Sequence, residues 1–149
     1  MQNDSMTIFT NGCFDIIHYG HVKLLEYCKN YNAISFGGKV VWPHVVVGVN
    51  SDSSVKRLKG NQRPINPEAA RVAVLKSLRF VDEVIIFEED TPYELIKKVK
   101  PDIIVKGGDY KKEDVAGNNL AKVLIFDYIN GHSTSNIIEK SHDPEQTKT

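Results

Sequence analysis

The sequence predicts an α/β protein built on a doubly wound, mostly parallel five-stranded sheet. Three observations carry that prediction. Short apolar runs alternate with amphipathic segments along the chain, the pattern of successive β-α-β units. One run, at residues 45–49, is continuous and rich in valine, as expected of a strand covered on both faces. Helix-start signals stand between the runs, at Asn66-Pro67-Glu68 and Thr91-Pro92-Tyr93-Glu94. Right-handed crossovers between parallel strands then place helices on both faces of the sheet.

The elements follow in order. Thr7-Ile8-Phe9 reads as the first strand. Residues 19–31 read as a helix, with Val22, Leu25 and either Tyr27 or Cys28 turned inward. Residues 45–49 make the second strand. Asn66 is expected to cap a helix with Pro67 at its first position, running to about Leu78 and burying Val72, Leu75 and Leu78. Residues 84–87 form the third strand. Thr91 to Glu94 reads as a capping box opening a helix that ends near Val99, before Pro101. Ile103-Ile104-Val105 is the fourth strand, closed by Gly107-Gly108, and residues 123–126 the fifth. Ser133 or Thr134 is expected to cap a last helix through Lys140. A single domain is thus expected over residues 1–140, with the polar tail 141–149 fraying.

Composition narrows the function. The 149 residues suit one domain, and 41% hydrophobic residues suffice for a core. Lys+Arg 19 against Asp+Glu 19 leaves no basic excess for a broad nucleic-acid footprint. No apolar run approaches the roughly 18 residues of a membrane span. The polar start lacks a basic segment followed by an apolar one, so no secretory signal is expected. Cys13 and Cys28 are too few for a disulfide scaffold, and a reducing cytoplasm is the simple expectation.

Open parallel sheets bind ligands beyond the carboxyl ends of their strands. There the first strand runs through Asn11, Gly12, Cys13, Phe14 and Asp15 into His18-Tyr19-Gly20-His21 at a helix start. Gly12 permits close backbone approach, and a helix N-terminus offers N–H donors and a positive dipole end. His18 and His21, three apart, share a helical face, and an imidazole N–H can donate to a phosphate oxygen. The segment is an anion cradle without the Walker lysine motif. The histidines and Cys13 lack a fourth ligand at metal spacing, so no protein metal site is expected.

Residues 10–21 resemble the HxGH signature of the cytidylyltransferase-like nucleotidyltransferases. The likeness extends through Gly48-Val49-Asn50-Ser51-Asp52-Ser53, Arg57-Leu58-Lys59-Gly60 and Arg63-Pro64-Ile65. It continues through Phe87-Glu88-Glu89-Asp90-Thr91-Pro92, Val105-Lys106-Gly107-Gly108-Asp109-Tyr110 and Gly131-His132-Ser133-Thr134-Ser135. These segments look like those of the bacterial heptose 1-phosphate adenylyltransferases, over about residues 7–140.

The resemblance implies a Rossmann-like nucleotidyltransferase fold and transfer of AMP from ATP to a sugar 1-phosphate, by in-line attack on the α-phosphorus and without a protein nucleophile. It implies that His18 and His21 hold the ATP phosphates, that backbone groups at Cys13 and Phe14 meet the α-phosphate, and that Lys59, on a loop, neutralises growing charge. Arg63 is a candidate phosphate ligand. Arg71 stands between a ligand group and a structural ion pair. Asp15 either orients the first loop or reaches Mg²⁺, an ion that rides mainly on phosphates and water. Gly107, Gly108 and Asp109 are candidates for packing and binding the nucleoside, against a plain turn. Ser133 and Thr134 are candidates for the terminal phosphates, against simple capping. The family also implies a homodimer; the balanced charge and the lack of a long apolar run lead to the expectation of neither nucleic acid nor membrane as partner.

Departures from the family pattern are the longer segment 32–44, expected to form a flap or a dimer contact, the short stretch 118–122, and His132. Trp42 is expected to pack locally. A glycerol-3-phosphate cytidylyltransferase is the rival enzyme, but Tyr128 and Ile129 stand where that branch carries an Arg-Thr pair. A non-catalytic nucleotide sensor on the same fold is the rival of another class.

Overall fold

The computed structural model describes residues 6–31 and 42–127. The expected last helix with Ser133 and Thr134, His132, the tail 141–149 and nearly all of the 32–44 segment lie outside the described residues.

Five strands, β1 (Thr7–Gly12), β2 (His44–Asn50), β3 (Glu83–Phe87), β4 (Ile103–Gly107) and β5 (Lys122–Phe126), form one sheet in the order β3-β2-β1-β4-β5. Every neighbouring pair is parallel. Side chains alternate across it with the period of two that a strand imposes. Ile8, Val45, Val47, Val49, Ile103 and Val105 enter one apolar cluster; Phe9, Val46 and Ile104 enter the other. Helices α1 (Tyr19–Asn30) and α3 (Glu68–Ser77) cover the first cluster through Leu24, Leu25, Cys28 and Leu75. Helix α4 (Tyr93–Val99) covers the second through Leu95 and Ile96. This is the doubly wound arrangement expected. The chain leaves β1 toward β2 and later returns to β1's other side as β4, so a crevice opens at the carboxyl ends between them.

Several local expectations shift. An additional helix, α2 (Asp52–Lys59), follows β2, capped by the Ser51 side chain, which accepts from the Ser54 N–H at 3.2 Å. Lys59 therefore ends a helix rather than sitting on a loop. Asn66 does not cap α3: Pro67 holds that position without a side-chain bond, and Asn66 turns to Asp15 instead. The Thr91–Glu94 capping box does not form, because Pro92 occupies the cap position. Val22, Val72 and Leu78, expected to be buried, are only partly covered, whereas Arg71, absent from the expected core, is 1% exposed. Between β4 and β5, where no full helix is expected, the chain makes a 3-10 turn, Lys112–Asp114. Trp42 is 54% exposed rather than packed. No described helix is long and apolar enough to cross a membrane.

Candidate active site

A cavity of about 580 Å³ opens at the carboxyl ends of β1 and β4. Asn11, Gly12, Cys13 and Phe14 form its floor as the chain leaves β1. His18 and His21 enter from the start of α1, Lys59 and Arg63 from the end of α2 and beyond, and Lys106 and Gly107 from β4. A second cavity of about 560 Å³ runs along the β3 edge, but Glu83, Glu88, Glu89 and Glu94 line it. Carboxylates repel phosphate, whereas the first cavity gathers Lys59, Arg63, Lys106 and two histidines, with its Asp15 and Asp90 paired to arginines, so it is the candidate site.

The first turn of α1 is organised by its histidines. His18 is the N-cap, and its Nδ1 accepts from the Gly20 N–H at 3.0 Å. The Nδ1 of His21 accepts in return from the His18 N–H at 3.3 Å. These imidazoles take the part usually left to Ser, Thr, Asp and Glu. A neutral ring whose Nδ1 accepts carries its proton on Nε2. Each histidine is thus set in the tautomer that can offer Nε2–H to an oxyanion. Burial, reinforced by repulsion from His18, pushes the His21 pKa down to about 3, so its ring stays neutral at physiological pH.

Asp15, 2% exposed, anchors the loop. Its carboxylate accepts from Arg63 Nε at 2.9 Å, the Ile65 N–H at 2.9 Å and the Asn66 N–H at 2.8 Å. Burial alone would raise its pKa, but these donors outweigh it and hold the carboxyl below its ordinary value. Both oxygens are engaged, so the structure favours the orienting role over the Mg²⁺ ligand.

Arg71 resolves toward its structural alternative. Its guanidinium donates to the carbonyls of Asn66 (3.0 Å), Cys13 (2.7 Å) and Asn50 (2.7 Å), and to Asp52 Oδ1 (2.8 Å). It fastens the turn after β1 to the end of β2 from below, and does not line the cavity. The carboxylates of Asp52 and Glu68 each accept from the other residue's backbone N–H, at 2.8 and 3.1 Å, joining the starts of α2 and α3. Gly20 is likewise buried in the cap, and its N–H is taken by His18. Gly108 and the exposed Asp109 stand outside the cavity lining, the Gly108 N–H donating to the Phe126 carbonyl. Of the expected site residues, the structure gathers Asn11, Gly12, Cys13, Phe14, His18, His21, Lys59, Arg63 and Gly107 at one cavity. Cys13 supplies no thiolate, since burial raises its pKa.

Sequence reasoning passed over Lys106 and Tyr110. The available signal was a lysine at the end of the apolar run Ile103-Ile104-Val105, where an interior strand rarely carries charge.

The matching family model is described as cytidylyltransferase-like and spans residues 9–145. A bifunctional protein HldE from a Nitratiruptor species is 56% identical over 134 residues, which is 89% of this chain and 27% of that protein. The bifunctional protein HldE of Campylobacter jejuni (strain RM1221) is 52% identical over 143 residues, 95% of this chain and 29% of that protein. The chain thus spans under a third of the length of these curated relatives. Among solved structures, the lipopolysaccharide core biosynthesis protein from Thermoplasma volcanium GSS1 superposes with a TM-score of 0.66 at 27% identity, covering 84% of this chain and 98% of that one.

Proposed function

The chain belongs to the cytidylyltransferase-like family, and from that premise we propose that it is an adenylyltransferase acting on ATP and a sugar 1-phosphate. The sugar is D-glycero-β-D-manno-heptose 1-phosphate, and the products are ADP-heptose and pyrophosphate. The observation that carries the reading is the pair of capping histidines at a cavity that Lys59, Arg63 and Lys106 also line, within a chain about half identical to two HldE proteins. The motif segments shared with heptose 1-phosphate adenylyltransferases support the choice of sugar, as does a structural neighbour named for lipopolysaccharide core biosynthesis.

The chemistry asks little of the protein beyond position and charge. A phosphate oxygen of the acceptor, already ionised at neutral pH, attacks the α-phosphorus of ATP. The bond from that phosphorus to the bridging oxygen breaks, and pyrophosphate leaves with the electron pair. His18 and His21 donate Nε2–H to phosphate oxygens and hold them without reorganisation as charge shifts. Lys59 offsets the charge growing on the leaving group. Mg²⁺, when bound, would neutralise phosphate oxygens. The residues present fit an ion carried by the nucleotide, because both Asp15 oxygens are engaged. By the same reading the enzyme works in the cytoplasm as a homodimer.

Pyrophosphate release tests the proposal, with ATP and CTP each crossed against heptose 1-phosphate and glycerol 3-phosphate in the presence of Mg²⁺. Turnover confined to ATP with heptose 1-phosphate is expected. Turnover with CTP and glycerol 3-phosphate would move the chain to the rival branch. Silence in all four combinations would favour a nucleotide sensor.

A further inference from the structure

Lys106 is the one charged side chain that any described strand carries at its carboxyl end. It lines the cavity, half-buried, with Nζ 5.0 Å from the centroid of the Tyr110 ring. Among the described residues its ammonium makes no hydrogen bond, and no carboxylate lies within 4.0 Å of it. Of the acids lining the cavity, Asp15 pairs with Arg63 and Asp90 with Arg57, both at 2.9 Å, and Asp114 makes no ion pair with the ammonium. Burial lowers the pKa of Lys106, and the charge of Lys59 lowers it further. A half-buried cation held near a second cation is costly unless an anion joins them.

Position separates this cation from the histidines. His21 packs on Phe14, with ring centroids 5.0 Å apart, and Phe14 belongs to the apolar cluster under α1. Lys106 has the strand parity of Ile104, which belongs to the cluster on the other face. The two groups therefore reach the cavity from opposite faces of the sheet, flanking the end of β1. In-line displacement has the same shape, with the attacking oxygen and the leaving group on opposite sides of the phosphorus.

We propose that Lys106 binds the phosphate of the acceptor, on the side of the cavity opposite the histidines, and so makes the enzyme selective for a sugar phosphate monoester. Tyr110 positions the ammonium by offering its ring face. The proposal rests on the adenylyl-transfer reading.

Lys106→Met tests it. Methionine keeps the length of the side chain and removes the cation, and replacing an unpaired half-buried charge by an apolar group leaves the fold at least as stable. A melting midpoint checks this. Loss of one charge-assisted contact should raise the KM for heptose 1-phosphate by about 10- to 100-fold. The dissociation constant of ATP, measured calorimetrically without acceptor, should change less than about twofold, because uniform ground-state contacts to ATP are untouched. Lys106→Arg should recover most of the acceptor affinity. An unchanged acceptor KM overturns the inference, as does weakening of ATP binding to the same degree. Turnover of the unsubstituted protein separates the two readings. Its absence overturns adenylyl transfer and this inference together, whereas normal turnover with an unmoved KM in Lys106→Met overturns this inference alone.

Discussion

The imidazole rings of His18 and His21 lie 3.8 Å apart, centroid to centroid, inclined at 33°, and each turns Nδ1 to a backbone N–H of the same helical turn. One arrangement therefore does two jobs. It satisfies donors at the α1 N-terminus that would otherwise be orphaned, and it fixes the tautomer that presents Nε2–H.

The two jobs separate in His18→Asn. Asparagine is among the best N-cap residues, so the variant should melt within about 1 kcal/mol of the parent. The phosphate donor is lost, and removal of one such preorganised donor costs roughly 10²- to 10³-fold in turnover. ATP binding should weaken far less. Steady-state pyrophosphate release beside a denaturant titration checks both. Turnover within about threefold of the parent would remove His18 from the chemistry.

His21 makes stability depend on pH. Its pKa falls from 6.5 in a free chain to about 3 in the fold. Between those values the unfolded chain binds the extra proton and the folded one does not, so stability is highest above pH 6.5 and declines as pH falls toward 3. From about pH 7 to pH 5 the loss attributable to this group is about 2 kcal/mol. Denaturant midpoints at the two pH values, for the parent and for His21→Gln, provide the measurement. A flatter profile in the variant is expected; identical slopes would show that His21 is charged in the fold.

Arg71→Met should destabilise strongly. Removing the guanidinium takes a donor from the carbonyls of Cys13, Asn50 and Asn66 and leaves the Asp52 carboxylate with the Glu68 N–H but no cation. Breaking a buried charged network in this way costs about 3–5 kcal/mol, and Arg71→Lys cannot reproduce the fork. Thermal unfolding is the readout. Normal stability with weakened ATP binding would instead return Arg71 to the ligand contacts.

Two glycines with positive φ should respond differently to alanine. At Gly60 (φ 102°) an added Cβ meets nothing within 4 Å, so only backbone strain opposes it, about 1 kcal/mol. At Gly117 (φ 87°) the same atom would lie 2.9 Å from Ile104 Cδ1 and 2.9 Å from Ile96 Cδ1. Overpacking adds about 1–3 kcal/mol there. Equal midpoints for Gly60→Ala and Gly117→Ala would contradict the packing of the turn at Gly117 against Ile96 and Ile104.

What could be read from the sequence followed from burial. Val45, Val47 and Val49 alternate with Val46 because both faces of β2 are covered, so the sheet was legible as apolar runs. Helix α2 was not, because its eight residues, Asp-Ser-Ser-Val-Lys-Arg-Leu-Lys, bury only Ser54 and Val55 and show no apolar stripe. The histidines and Gly12 were legible through local spacing along the chain. The roles of Asp15 and Arg71 were hidden because their partners are distant: Arg63 lies 48 residues from Asp15, and Cys13 lies 58 from Arg71. Arg71 did leave one trace, since it stands four residues before the buried Leu75 and thus on the same helical face.

Asp15 offers the sharpest separation between holding the loop and holding a metal. Its two oxygens serve three donors, on Arg63, Ile65 and Asn66. Asp15→Asn keeps the shape but turns an NH₂ group toward donors and removes the charge that pairs with Arg63. A buried donor left facing another donor costs about 1–3 kcal/mol, and the loop carrying Cys13 and Phe14 loses its tie to the segment before α3. Stability and turnover should therefore fall together. The Mg²⁺ concentration giving half-maximal rate should stay where it is, because the ion rides on ATP. A Mg²⁺ titration of the residual activity decides the matter. If that concentration rises by about tenfold or more, the loss of one ligand contact, while the melting midpoint holds, Asp15 is a metal ligand and its bonds to Ile65 and Asn66 must open during turnover.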